Sequence, residues 1–286
     1  MKIYNAYGYL IVLGYFLACL YVGAPQWGYL DALAISGAYF ILVWFFGGLY
    51  LADILHLGIA HRSLQFRGWF TKAVTLFTNT FGIYVDPTGW VNRHRLHHKY
   101  SDHAGDPNKH TGDGLWRTLW LCLFPYPCKE NVATDEIFHS WTFRLTSSYV
   151  FALPAQLASF CLLWLLVRSF WFALVMWVGI RVFALWVNMI QNYWTHTRIY
   201  GYRRYDDAHD NAMNIGEWFP VWSTFSACLQ NNHHHAPSML RLSHSDEEHD
   251  FGFFTIRVMK SLGLVKATSL GSKIPEEVEL ASLGFG

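Results

Sequence analysis

The chain has 286 residues and a formal net charge of +1, so it lacks the basic surplus of a general nucleic-acid binder. Only 14% of its residues are charged, against about 25% on average, while 53% are hydrophobic and 18% aromatic; water is not its only solvent. Five cysteines (Cys19, Cys122, Cys128, Cys161, Cys228) without paired spacing exclude a disulfide framework or a CxxC zinc site, and fifteen histidines make imidazole the residue to follow.

Residues 3–23 are apolar and uncharged, long enough to span hydrocarbon. A signal peptide would have a shorter apolar region and a small-residue cleavage site, so the stretch reads as a membrane helix. A short segment, Ala24 to Asp31, separates it from a second span at 32–52, which runs into His56 and His61. Residues 69–91 are apolar but broken by Lys72, Asp86 and Pro87, the pattern of a re-entrant or interfacial segment. Next comes a stretch from Asn92 to His103 in which His94, His97 and His98 stand at i, i+3 and i+4, one face of a helix. Imidazole is the commonest ligand for Zn, Fe and Cu, so this face suggests part of a metal site. Arg93, Arg95 and Lys99 would oppose protonated histidines and favour neutral, metal-bound rings; a solvated basic helix is the other reading.

A polar loop from Asp102 to Gly114 leads into residues 115–146, whose mixed aromatics and charges suggest amphipathic structure beside the membrane. Residues 147–167 and 169–195 form third and fourth spans with Arg168 at a tight turn. Beyond His196 the chain is polar and aromatic-rich, ending in a loosely held tail at 269–286. With no repeat or linker, we expect one domain: an all-α membrane protein of four spans with a helical cap built from residues 53–146 and 196–268. Ten lysines and arginines lie between the second and third spans and eight follow His196, while the two hairpin turns hold none and one. The positive-inside rule puts the cap and both termini in the cytoplasm.

That topology gathers His56/His61, His94/His97/His98, His196 and His233/His234/His235 on one side. A zinc site takes about four ligands, so this many imidazoles implies two metal ions. A di-zinc hydrolase and an oxygen-activating di-iron site are both open; long apolar helices beside the site favour an apolar substrate and oxidation of carbon–hydrogen bonds. On the fourth span Arg181, Asn188, Asn192 and His196 share a face that should point into the bundle, since a guanidinium facing lipid costs several kcal/mol. Mutual satisfaction of Arg181 and Asn188 with their neighbours is the plain reading; Asn192, one turn before His196, belongs near the metals.

The sequences His56-x4-His61-Arg-Ser, His94-x2-His97-His98-Lys-Tyr-Ser with Asp106-Pro107, Asn192-x3-His196 with Tyr200-Gly-Tyr-Arg203, and Asn231-Asn-His233-His234-His-Ala-Pro237 together resemble the membrane acyl desaturases, the stearoyl-CoA desaturase type above all. The likeness covers about residues 50 to 265 through four ordered landmarks. It implies a mushroom-shaped helical fold with a cytosolic cap, two ferrous ions, an apolar tunnel for a fatty acyl chain, and dioxygen as co-substrate. By motif matching, His56, His61, His94, His97, His98, His196, His233 and His234 become iron ligands, and Asn192 reaches a metal directly or through water. The acyl group would be carried on CoA, acyl carrier protein or lipid. With no fused cytochrome b5 domain, the resemblance implies an external electron donor of ferredoxin or cytochrome b5 type.

One landmark departs from the pattern. The third box should read His-x2-His-His, yet its leading position holds Gln230. Gln230 could ligate through its amide oxygen, His235 could substitute, or one iron could keep an open position and the reaction shift to hydroxylation, triple-bond formation or group transfer. A catalytically lapsed metal-binding membrane protein is the reading from another class. His103, His110, His139, His209, His244 and His249 read as surface histidines. Arg93, Arg95, Lys99, Arg203 and Arg204 could bind a phosphate-bearing or acidic carrier, anionic headgroups or an acidic electron donor.

Overall fold

Helix α1 (Ile3–Trp27) and helix α2 (Tyr29–Gly48) are joined by one residue. The segment expected between them is helical because Gly28 makes the whole reversal: it sits at φ 78°, where the lack of a Cβ removes the steric penalty, and its amide closes α1 onto Ala24 at 2.9 Å. From Leu49 to Ala60 the second helix continues in π geometry, so the span expected to stop at residue 52 carries His56 at its far end. This computed structural model describes residues 2–108, 114–125, 127–206 and 210–268; Lys109, His110, His209 and the expected tail at 269–286 lie outside them.

Strand β1 (Leu64–Phe66) leads into α3 (Gly68–Phe81). At 14 residues α3 reaches roughly 21 Å, short of the roughly 30 Å hydrocarbon layer. That length accords with a re-entrant or interfacial segment. Pro87 then starts α4 (Pro87–Tyr100) at a position where its missing N–H costs nothing. Helix α5 (Gly114–Leu123), a 3-10 turn (Glu136–His139) and α6 (Trp141–Thr146) complete this half of the cap.

Helices α7 (Tyr149–Val167) and α8 (Phe170–Asn192) form the second hairpin; Arg168 takes the left-handed conformation at the turn. The indole of Trp27 donates to the carbonyl of Val167 at 3.1 Å, which satisfies a helix-end acceptor and ties the two hairpin turns together at the end opposite the cap. With the short 3-10 turn Trp194–His196 added to α8, four helices among the described residues are long and apolar enough to cross a membrane: Ile3–Trp27, Tyr29–Ala60, Tyr149–Val167 and Phe170–His196. The protein is an integral membrane protein. Arg181 is held inside the bundle, as its helical face requires: it donates to the carbonyls of Trp177 and Gly82 and to the side-chain oxygen of Gln156.

Helices α9 (Trp218–Ser223), α10 (Gln230–His235) and α11 (Phe251–Ser261) finish the cap, and strand β2 (Val265–Thr268) pairs antiparallel with β1, a small ribbon in an otherwise helical fold. An aromatic layer fixes the cap to the second span. Trp44 stacks on Trp222 at 3.9 Å, and Phe225 occupies a notch at Gly48 in which a Cβ would fall 2.0 Å from the ring. That close approach seats the turn before α10 directly over the start of the π stretch.

Candidate metal centre

In an α-helix, residues five apart lie about 140° apart around the axis, which would point His56 and His61 away from each other. The π turn, with its i→i+5 bonding, corrects this. The amide of His61 donates to the carbonyl of His56 at 3.0 Å, and the two rings come to 4.9 Å. Arg95 terminates the stretch by donating to the carbonyls of Ile59 and Ala60, the orphan acceptors of a helix end. The same guanidinium reaches Val132 and pairs with Asp135 at 2.5 Å. Asp135 offsets that charge in part, and Arg95 still helps to hold His61 neutral.

On α4 the three histidines share one face as expected, but they serve two groups. His94 and His98 join His56, His61 and His233, whereas His97 joins His196 and His234; within each group the ligand nitrogens lie within 4.8 Å of one another. Helix α10 straddles in the same way, giving His233 to one group and His234 to the other. Its placement rests on the amides before the box. Asn231 accepts from the backbone N–H groups of Arg204 and Tyr205, both at 2.8 Å, and Asn232 is bound to Asn214, Leu242 and Glu248. His196 is presented by the 3-10 turn that ends the fourth span.

The nitrogens that face one another are the Nε2 atoms. His56–His233 are 2.9 Å apart, His61–His94 2.8 Å, His98–His233 3.0 Å and His97–His234 3.3 Å. Nitrogens about 2.1 Å from one ion sit about 3.0 Å apart at right angles, so these spacings suit cations between the rings. Burial pushes His61, His94, His98, His233 and His234 well below the ordinary imidazole range, with neighbouring histidines adding to the shift. They are neutral donors with lone pairs to give. His97 runs the other way: burial opposes charge there, but Asp106, aided by Asp102 and Asp210, outweighs it and raises the pKa. Carboxylates that favour a proton on that ring favour a cation beside it equally. The donor set therefore fits metal ions, and the histidine clusters form a metal site.

The other expected residues are placed as follows. Asn192 donates through its amide nitrogen to the carbonyl of Asn188 at 3.0 Å, leaving its oxygen as the atom suited to a metal. Gln230 is buried and donates to the carbonyl of Ala227 at 2.7 Å. His235 is exposed and lies flat on Tyr205 at 3.7 Å. Among the basic residues, Lys99 pairs with Glu130, Arg203 with Asp210 and Arg204 with Glu248, while burial depresses the pKa of Arg93 against the pull of Asp86. His244, expected at the surface, is half-buried and bonded to the Tyr205 hydroxyl at 2.9 Å. Sequence reasoning missed Trp90, stacked on His94 at 5.0 Å, although a position four before a ligand on one helix face announces it. It also missed carboxylates against ring nitrogens: Asp106 at His97, 2.8 Å, and Asp102 at His196, 3.0 Å. The signal was their place just after the box, since ligating histidines usually have such partners.

The family model for fatty acid desaturases matches residues 30–246. This chain belongs to the fatty acid desaturase family. It is similar to an sn-1 stearoyl-lipid 9-desaturase of Anabaena variabilis, 27% identical over 92% of this chain and 93% of that protein. Delta-9 acyl-lipid desaturase 2 of Arabidopsis thaliana is 28% identical over 82% of this chain and 73% of its own length. A hex-5-enoyl-[acyl-carrier protein] acetylenase of Moorena producens (strain JHB) is 26% identical over 86% and 83% respectively. The desaturase so defined is a fatty acid desaturase-like oxidoreductase, and its paired histidine clusters are consistent with the two-metal chemistry of the family.

Proposed function

We propose that this desaturase introduces a double bond into a fatty acyl chain, using dioxygen and two irons. His56, His61, His94, His98 and His233 hold one iron; His97, His196 and His234, with the oxygen of Asn192, hold the other. The observation that carries this reading is the convergence of eight imidazoles from four separate segments into two groups at one end of a bundle of apolar helices. Bound iron would activate dioxygen, the oxidant, which with two electrons from the donor and two protons takes up the two methylene hydrogens and ends as two waters. The chain's own residues hold neutral Nε2 donors in place, and Trp90 stacks on the ring of His94 and fixes its plane. Selection of one carbon pair follows from how the acyl chain is held against the centre.

The cap and both termini face the cytoplasm in this reading, where an external carrier of ferredoxin or cytochrome b5 type delivers electrons. Relatives include enzymes named for lipid-linked, CoA-linked and carrier-protein-linked acyl groups, so lipid, acyl carrier protein and CoA are the candidate carriers. Exposed Lys99 and Arg204, with Arg93 and Arg203, are candidates for meeting the carrier or the donor. Gln230, in place of a box histidine, favours a second outcome, further oxidation to a triple bond or hydroxylation, and the likeness to an acetylenase supports keeping it. The test is expression with a reductase system and mass spectrometry of total fatty acids. New unsaturated acyl chains that depend on His97 and His233 support desaturation, acetylenic or hydroxylated chains select the second outcome, and lipids identical to the empty-vector control sink both.

A further inference from the structure

One short loop after α4 reaches all three imidazoles of the smaller group and none of the five in the larger. Asp106 accepts from Nδ1 of His97 at 2.8 Å, Asp102 accepts from Nδ1 of His196 at 3.0 Å, and the Ser101 hydroxyl lies 3.2 Å from Nδ1 of His234. These rings belong to three elements far apart in sequence: α4, the end of the fourth span and α10. The loop is itself tightly made. Asp106 accepts from the amides of Asp102 and Asn108, both at 2.8 Å, and Asp102 adopts φ 63°, a conformation a non-glycine residue holds only when its surroundings enforce it. Both aspartates are buried. Asp210 adds a carboxylate oxygen 3.3 Å from His234.

Among the described residues no carboxylate lies against a ring nitrogen of His56, His61, His94, His98 or His233, and Nδ1 of His233 is buried without a hydrogen-bond partner. The asymmetry has a chemical meaning. A carboxylate at Nδ1 fixes the tautomer, leaves the lone pair on Nε2, and makes that nitrogen a stronger donor. Three strengthened donors stand on one side and five unassisted ones on the other.

From this geometry we propose that the loop Ser101–Asp106 is the positioning device of the three-imidazole metal position alone, through Asp102 and Asp106. The two positions are therefore inequivalent: the larger group holds its ion by number of ligands, the smaller by carboxylate support of few. Gln230 stands three residues before His233 and four before His234 on α10, so it shares a helix face with one ligand of each group.

This inference rests on the two-metal reading, and the experiment separates their failures. Purified full-length protein, Asp102→Asn and Asp106→Asn are titrated anaerobically with 57Fe(II) against a competing chelator, and Mössbauer spectra are recorded. Asparagine keeps the size and the acceptor oxygen, so loss of charge is what is tested, and thermal unfolding of the metal-free proteins checks the fold. Wild type should bind two equivalents with two quadrupole doublets. Each variant should lose affinity for one equivalent by about 10–100-fold, with one doublet changed and the other unmoved. Ser101→Ala should give a smaller loss at the same equivalent. Both equivalents weakening together, or neither, in a folded variant overturns the inference and leaves two metals standing; a wild type that binds one equivalent or none overturns the reading beneath it.

Discussion

His61 donates its backbone amide to the carbonyl of His56 at 3.0 Å, five residues back, and this turn is what brings the two imidazoles to one face. Arg95 holds the end of it through the carbonyls of Ile59 and Ala60 and anchors itself on Asp135. Arg95→Ala should destabilise the protein by about 2–4 kcal/mol, since it takes the donor from the carbonyls of Ile59, Ala60 and Val132 and leaves Asp135 with Arg62 alone. Arg95→Lys should recover little, because an ammonium cannot serve that spread of acceptors as a planar fork does. Thermal unfolding in detergent measures both; a lysine variant as stable as wild type would remove the clamp.

The same pair makes a pH prediction. Burial alone would raise the Asp135 carboxyl, but hydrogen bonds from Arg95 and Arg62 outweigh it and hold the pKa below the ordinary value. A depressed carboxylate stabilises fully above its unfolded pKa, about 3.9, and the contribution is lost as pH falls through the lower folded value. The stability gap between wild type and Asp135→Asn should stay constant from about pH 8 to 5 and narrow below about pH 4. A gap that closes above pH 6 contradicts the assignment.

Gln230 donates to the carbonyl of Ala227, one turn before His234. Gln230→His should slow release of one metal equivalent to a chelator and shift the product mixture toward the simple alkene. Unchanged release and unchanged products would make the glutamine incidental.

Arg181 and Gln156 satisfy each other within the bundle. Arg181→Met alone leaves the glutamine oxygen and the Gly82 carbonyl unpaired and should cost about 2–5 kcal/mol. Gln156→Leu strands the Asn79 and Thr80 carbonyls that its amide serves, but in the double variant it also removes the glutamine oxygen orphaned by Arg181→Met, so the double variant should lose less than the sum of the two single variants. Additive losses in the double variant would show that the two side chains do not act as a pair.

The apolar runs and the histidine spacing made the four helices and the gathering of the histidines legible, because hydrocarbon length and imidazole chemistry act locally. What escaped is non-local or depends on backbone geometry. Nothing in the composition of Leu49–Ala60 distinguishes a π from an α turn, so the reason that His56 and His61 converge was hidden, and so was the helical continuation of the second span. The division of His94 and His98 from His97 depends on where α10 and the fourth span arrive. Asp102 and His196 are 94 residues apart, and only the folded chain makes them neighbours. The single-residue turn at Gly28 was concealed by Pro25, which reads as a helix breaker yet lies within the last turn of α1.

Whether these eight imidazoles hold two irons is decided by iron per chain, measured by elemental analysis of the purified protein after anaerobic reconstitution. Two irons are expected in the wild type and fewer in His97→Ala and His233→Ala. Zinc in place of iron, or no retained metal in folded wild-type protein, would contradict it.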